Sequence, residues 1–244
     1  INCPLSEGEL RIDGLQRTLT DVFVRITRLD APEETAVLRP NASALDLSEP
    51  VPGTALAAYF RLGVEHILFG FDHLLFVLGL CLVVRPKQLI WTVTAFSIAH
   101  SLTLALSALA GITLPGPPVE AVIALSIILL AREALERLSG RETLASRKPW
   151  LIAFGFGLIH GFGFAGALSE IGLPKSQEVW ALLLFNLGVE AGQILFVAFV
   201  FLVAAFIWRL ASATRTPSRA FAAYFIGTAG TFWLIERLSS FPQT

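Results

Sequence analysis

The run Val64-Glu65-His66-Ile67-Leu68-Phe69-Gly70-Phe71-Asp72-His73-Leu74-Leu75-Phe76-Val77-Leu78-Gly79-Leu80-Cys81-Leu82-Val83-Val84 decides how this chain is read. Its second half is unbroken apolar sequence, while its first half carries Glu65, His66, Asp72 and His73. At 1.5 Å per residue the stretch 56–84 exceeds the roughly 20 residues that cross about 30 Å of hydrocarbon. The excess, together with Arg61 and Glu65, places the beginning of this span in the membrane interface. Asp72 and the two histidines lie deeper, where an ionisable group is costly and marks a functional site by default.

Five more stretches of sufficient length follow, at 88–110, 119–138, 149–168, 178–208 and 220–238. The chain is 55% hydrophobic and 15% charged, against about 25% charged in a soluble domain. Its mean hydropathy is +0.69. Lipid is the expected solvent, and the fold class is an all-α polytopic membrane protein with about six transmembrane helices. Pro86, Pro117, Pro118, Pro149, Pro174 and Pro217 fall between the spans, where a missing amide donor does little harm. Trp91, Trp150, Trp180, Trp208 and Trp233 sit near span ends, as interfacial anchors do.

Residues 1–54 differ in kind. They are polar, interrupted by Pro32, Pro40, Pro50 and Pro52, and alternate in short runs such as Leu19-Thr20-Asp21-Val22-Phe23-Val24-Arg25-Ile26. A small β-rich or irregular extramembrane segment is expected there, followed by a membrane domain over 55–244. Arg85 and Lys87, then Arg137, Arg141, Arg147 and Lys148, then Arg209, Arg215 and Arg219 follow alternate spans. Those loops are expected on the cytoplasmic side. The loop 111–118 has no basic residue and 169–177 has only Lys175 against Glu170, so both belong outside with the N-terminal segment. The chain starts at Ile1 and contains no methionine, which suggests a removed export signal. Cys3 and Cys81 are then on opposite sides and do not pair. The net charge of −1 leaves no basic field for nucleic acid.

All four histidines lie in spans: His66 and His73 in the first, His100 in the second, His160 in the fourth. His66 and His73, seven apart, share a helix face, and Glu190 shares one with Asn186 and Gln193. In the second span Thr94, Ser97 and Ser101 form one polar stripe, and His100, Thr103 and Ser107 form the next. Counted inward from the loops, His73, His100, His160 and Glu190 reach similar depth, with His66 and Glu120 nearer the outer surface. Neutral imidazole with carboxylate suits zinc, nickel, cobalt, copper or iron. The candidate metal ligands are therefore His66, Asp72, His73, His100, His160 and Glu190. Glu120, Asn186, Gln193, Ser97 and Ser126 are candidate supporting groups, although interhelical pairing alone also explains Asn186, Gln193, Ser97 and Ser101. Gly155, Gly157, Gly161, Gly163 and Gly166 around His160 allow close helix approach.

The block Gly63-Val64-Glu65-His66-Ile67-Leu68-Phe69-Gly70-Phe71-Asp72-His73-Leu74-Leu75-Phe76 resembles the signature of the HupE/UreJ family of bacterial membrane proteins. So do Thr94-Ala95-Phe96-Ser97-Ile98-Ala99-His100-Ser101, Val119-Glu120-Ala121-Val122-Ile123-Ala124-Leu125-Ser126, Phe156-Gly157-Leu158-Ile159-His160-Gly161-Phe162-Gly163-Phe164-Ala165 and Phe185-Asn186-Leu187-Gly188-Val189-Glu190-Ala191-Gly192-Gln193. The resemblance implies a multi-pass protein of the bacterial inner membrane that transports nickel or cobalt for hydrogenase or urease. Members linked to hydrogenase carry proline directly after the first motif histidine. Here Ile67 follows His66, as in a second branch with an extracytoplasmic head.

Two activities fit the residues by themselves. A carrier would take a divalent cation (nickel, cobalt or zinc) from the outer side and open inward. A metal-dependent hydrolase would keep zinc or another metal permanently and activate a bound water, with Ser97, Ser126 or Glu120 assisting. A membrane subunit of a larger metalloenzyme complex is a third possibility. The resemblance favours the carrier, with the metal ion, the bilayer and membrane-complex subunits as its partners.

Overall fold

The computed structural model describes residues 8–17, 22–26, 34–38, 40–48, 54–171 and 178–241. Cys3, Pro32, Pro50, Pro52, Pro174, Lys175 and the beginning of the 19–26 alternation lie outside the described residues, as does the side chain of Glu170.

The N-terminal segment contains the expected strands, in two small antiparallel sheets. Strand β1 (Glu9–Arg11) pairs with β4 (Ala44–Asp46) in the register Leu10 to Leu45, and β2 (Val22–Ile26) pairs with β3 (Glu34–Leu38) in the register Val24 to Ala36. Ala36 and Leu38 of β3 are buried, and this strand rests on the first helix.

The rest is helical: α1 (Thr54–Phe69), α2 (Phe71–Val83), α3 (Pro86–Ala110), α4 (Gly116–Leu138), the single turn α5 (Leu144–Arg147), α6 (Pro149–Ile171), α7 (Glu178–Leu210) and α8 (Arg215–Ser239). Pro86 and Pro149 open their helices, where the missing amide proton has no partner to lose. Among the described residues, α3 and α7 are each long and apolar enough to cross a membrane. The expected first span of 56–84 is not one helix: α1 and α2 meet at Gly70 with a bend of 70°, and only together do they make a third membrane-length element. The six spans expected from apolar length alone are thus met in part. Arg132, Glu133, Glu136 and Arg137 charge the last turns of α4, and α8 carries Arg215, Arg219, Glu236 and Arg237 at its two ends.

Large apolar side chains cover the outside of the helices, while several polar side chains are buried within an otherwise apolar core. Leu202 is 71% exposed and Phe232 66%, whereas His100 and Ser126 are at 0% and Gln193 at 1%. Apolar side chains facing outward around buried polar ones are what hydrocarbon solvent selects. Of the tryptophans, Trp91, Trp150 and Trp180 are exposed, Trp208 donates to the Ser218 hydroxyl at 3.1 Å, and Trp233 lines a cavity described below.

Three close pairs build the bundle: α3 with α6, α1 with α7, and α4 with α8, with α2 packed among α3, α4, α7 and α8. Glycines permit this closeness. A β-carbon at Gly63 would collide with the Phe185 carbonyl, and one at Gly188 with the Phe60 carbonyl, so α1 and α7 touch backbone to backbone. One end of α2 is closed by arginines from two other helices. Arg137 of α4 donates to the Val83 carbonyl, and Arg219 of α8 donates to the Leu82 carbonyl at 2.8 Å. These satisfy helix-end acceptors and place positive charge at the negative end of the helix dipole.

Candidate metal centre

The site begins at Gly70, the break between α1 and α2. Its backbone is non-helical (φ −79°, ψ 91°), yet its amide still reaches the His66 carbonyl at 3.0 Å and its carbonyl accepts from the Leu74 amide at 3.0 Å. A β-carbon here would stand 2.5 Å from the His66 carbonyl oxygen and 3.0 Å from His73 Nδ1. Only glycine lets the first turn of α2 fold this tightly against the last turn of α1. Seven residues along a straight helix are about 10 Å apart. The bend brings the His66 and His73 rings to 4.6 Å between centroids.

Two further helices complete the cluster. His100 of α3 lies 5.9 Å from His73 and 6.0 Å from His66, and His160 of α6 lies 5.1 Å from His73. His100 and His160 are held together by the α3–α6 seam, where β-carbons at Gly157 and Gly161 would each stand 2.5 Å from a carbonyl oxygen of α3, those of Phe96 and His100 respectively. Phe96 stacks on His100 at 5.9 Å and meets His160 edge to face at 5.1 Å. Phe76 lies 5.2 Å from His160. Four imidazoles from four helices therefore share one apolar, aromatic-walled chamber.

Hydrogen bonds fix what two of the rings present to it. Asp72 Oδ1 accepts the His73 amide at 2.8 Å and lies 3.0 Å from His73 Nδ1. A carboxylate only accepts, so Nδ1 carries a proton, and in the neutral ring Nε2 keeps its lone pair. Ser126 gives its single hydroxyl proton to the Ile123 carbonyl at 2.6 Å, so it accepts from His160 Nε2 at 3.3 Å and leaves Nδ1 with the lone pair. The same commitment of its proton means that this Ser–His pair is not arranged for nucleophilic attack. His73 Nε2 and His160 Nδ1 are buried and find no hydrogen-bond partner among the described residues, and neither nitrogen of His100 finds one. Buried polar atoms normally have partners. Several orphaned imidazole nitrogens in one chamber form a donor set without an acceptor. As they stand the rings meet edge to face, and among the described residues no three histidine, cysteine or acidic side chains make a formed ion site.

The other candidates have different neighbours. Glu190 accepts from Thr94 at 2.7 Å, Ser97 donates to Gln193 at 2.8 Å, and the Asn186 amide donates to the Leu182 carbonyl of its own helix at 2.8 Å. The polar groups of α3 thus serve different partners: Thr94 and Ser97 face α7, Thr103 meets Gly161 of α6, and the His100 ring lies against His66 of α1 and His73 of α2. Glu65 pairs with Arg61 at 2.5 Å at the exposed face of α1. Glu120, near the start of α4, forms an ion pair of 2.9 Å with Arg237, near the end of α8. Both line a cavity of 310 Å³ together with Phe71, Asp72, Ile123 and Trp233. Sequence reasoning missed Arg237 and the break at Gly70. A signal for Arg237 existed: in the expected topology it is a basic residue at an outer helix end, level with Glu120.

Comparison with known sequences gives one family. The family described as HupE / UreJ protein matches residues 43–237, which takes in β4 and the helices from α1 to nearly the end of α8. No curated protein and no solved structure matches the chain.

Proposed function

We propose, from the premise that this chain belongs to the HupE / UreJ family, that it carries a divalent cation, nickel or cobalt, across the bacterial inner membrane. The family is associated with transport of these metals. The binding centre in this reading is His66, His73, His100 and His160, with Asp72 orienting His73. One observation carries it: the orphaned nitrogens of His73, His100 and His160 in a single buried chamber. With nitrogen about 2.1 Å from a metal, ring centres sharing that metal stand roughly 4.5–5.5 Å apart. His66–His73 and His73–His160, at 4.6 and 5.1 Å, already lie in this range, and His66–His100 and His73–His100, at 6.0 and 5.9 Å, lie just outside it. The metal is cargo here, so a site that binds without being fully formed suits a protein that must also let go.

In the same reading the chain crosses the membrane six times, with the N-terminal segment outside and the loops after α2, α4 and α7 in the cytoplasm. Beyond the histidines, toward the arginine-capped end of α2, the core is closed by Phe76, Leu80, Phe96, Ile127 and Leu130. Release inward then requires α2 to move within its neighbours, and Gly70 is the pivot. The test is uptake by proteoliposomes of radioactive nickel or cobalt. Accumulation that falls at least tenfold in His73→Ala supports transport. Protein that holds stoichiometric metal through chelator washing and passes none would overturn it.

A further inference from the structure

We infer that Arg237 is a built-in counter-cation guarding the approach to the histidine chamber, and that an incoming divalent cation takes its place beside Glu120 and Asp72. The inference rests on the transport reading but concerns a different part of the molecule. The cavity that Arg237 lines is open to the outside of the bundle and holds two carboxylates and one guanidinium, leaving one negative charge. Its volume of 310 Å³ exceeds the roughly 180 Å³ of six waters at about 30 Å³ each. A hydrated divalent cation therefore fits. Phe71, Ile123, Ala124, Ile127 and Trp233 supply low-dielectric walls, which concentrate the field of the carboxylates on the space between them.

Asp72 links this cavity to the chamber. Its carboxylate lines the cavity, with the side chain 37% exposed, while its Oδ1 holds the ring of the buried His73. A cation drawn to Asp72 is one side chain away from the first imidazole. Arg237 and Glu120 are each 42% exposed and come from different helices, α8 and α4. An exposed pair of this kind contributes at most about 1 kcal/mol, so a divalent ion can displace it.

The inference is separable from a role in holding α4 to α8. The full chain is purified, and binding of cobalt(II), followed by its visible absorption, is measured at equilibrium and by stopped flow. Arg237→Gln removes the competitor and leaves two negative charges, so the association rate constant rises about tenfold at low salt, and the gain shrinks as salt screens it. Glu120→Gln leaves the guanidinium facing Asp72 alone, so the rate constant falls about tenfold. The double variant returns close to the starting value, and the bound-cobalt spectrum is the same throughout. Rate changes of the same sign in both single variants, or none in either, overturn the inference. Should Arg237→Gln not fold, Glu120→Gln decides alone, a fall supporting and no change or a rise overturning. If cobalt binds and His73→Ala abolishes binding while these rates stay fixed, the guard fails and the transport reading survives. Absence of cobalt binding in the unmodified chain sinks both.

Discussion

Helix α3 has two buried polar seams, and they are built differently. Toward α7 the hydroxyls of Thr94 and Ser97 donate to the side chains of Glu190 and Gln193 at 2.7 and 2.8 Å, so both hydroxyls have an acceptor on the facing helix, while Gln193 Nε2 finds no partner among the described residues. Toward α6 the contact is glycine against backbone and against the Thr103 hydroxyl, and beside it His100, whose ring faces His66 and His73, has neither nitrogen satisfied among the described residues. A satisfied pair holds helices together, contributing on average about 0.6 kcal/mol in membranes. An unsatisfied buried group costs free energy and is retained where something else binds it. The hydroxyl contacts toward α7 thus join helices, whereas the nitrogens of His100 are left without a partner among the described residues.

The comparison breaks most visibly at Gly161. A β-carbon there would collide with the Thr103 hydroxyl and stand 2.5 Å from the His100 carbonyl oxygen, which belongs to backbone and cannot rotate away. Gly161→Val is expected to cost about 3 kcal/mol or more and to sharply reduce the yield of folded protein, read by thermal melting in detergent. A variant that melts normally would show that the α3–α6 seam is looser than its geometry implies. A smaller effect on stability sharpens the contrast. His100→Leu gives up no hydrogen bond, so melting stays within about 0.5 kcal/mol of the parent while cobalt binding is lost. Gln193→Leu strips Ser97 of its acceptor, lowers stability by about 1 kcal/mol and leaves cobalt binding intact. If the two variants exchanged these outcomes, the assignment of the seams would be reversed.

The histidines could be picked out from the sequence because an imidazole in an apolar span has few reasons to be there, and helical counting puts His73, His100 and His160 at similar depth with His66 nearer the outer surface. Counting could not show how His66 and His73 meet. A glycine in a long apolar run reads equally as packing, and the 70° bend at Gly70 depends on how α2 is held by α4, α7 and α8. The same limit applies to span number, since apolar length was clear but the charges at the ends of α4 and α8 reduce what each helix commits to hydrocarbon. Helix faces were legible, whereas partners were not: that Thr94 would find Glu190 and Glu120 would find Arg237 depends on which helices become neighbours.

Glu190 shows the consequence. Depth and acidity group it with the histidines, yet the structure gives its carboxylate to Thr94, six residues before His100 on α3 and so about 9 Å away along the helix axis. A ligand and a pairing group respond differently to loss of charge alone. Glutamine keeps an oxygen that accepts from the Thr94 hydroxyl, so Glu190→Gln preserves the hydrogen bond while removing the negative charge. For a pairing group, stability moves by less than about 0.5 kcal/mol and the cobalt dissociation constant stays within a factor of about two. A direct ligand would instead lose roughly tenfold or more in affinity, as its anionic oxygen is replaced by a weaker neutral donor. The expected result is the first, measured by equilibrium titration, because Glu190 Oε1 accepts from the Thr94 hydroxyl at 2.7 Å, a contact that glutamine preserves.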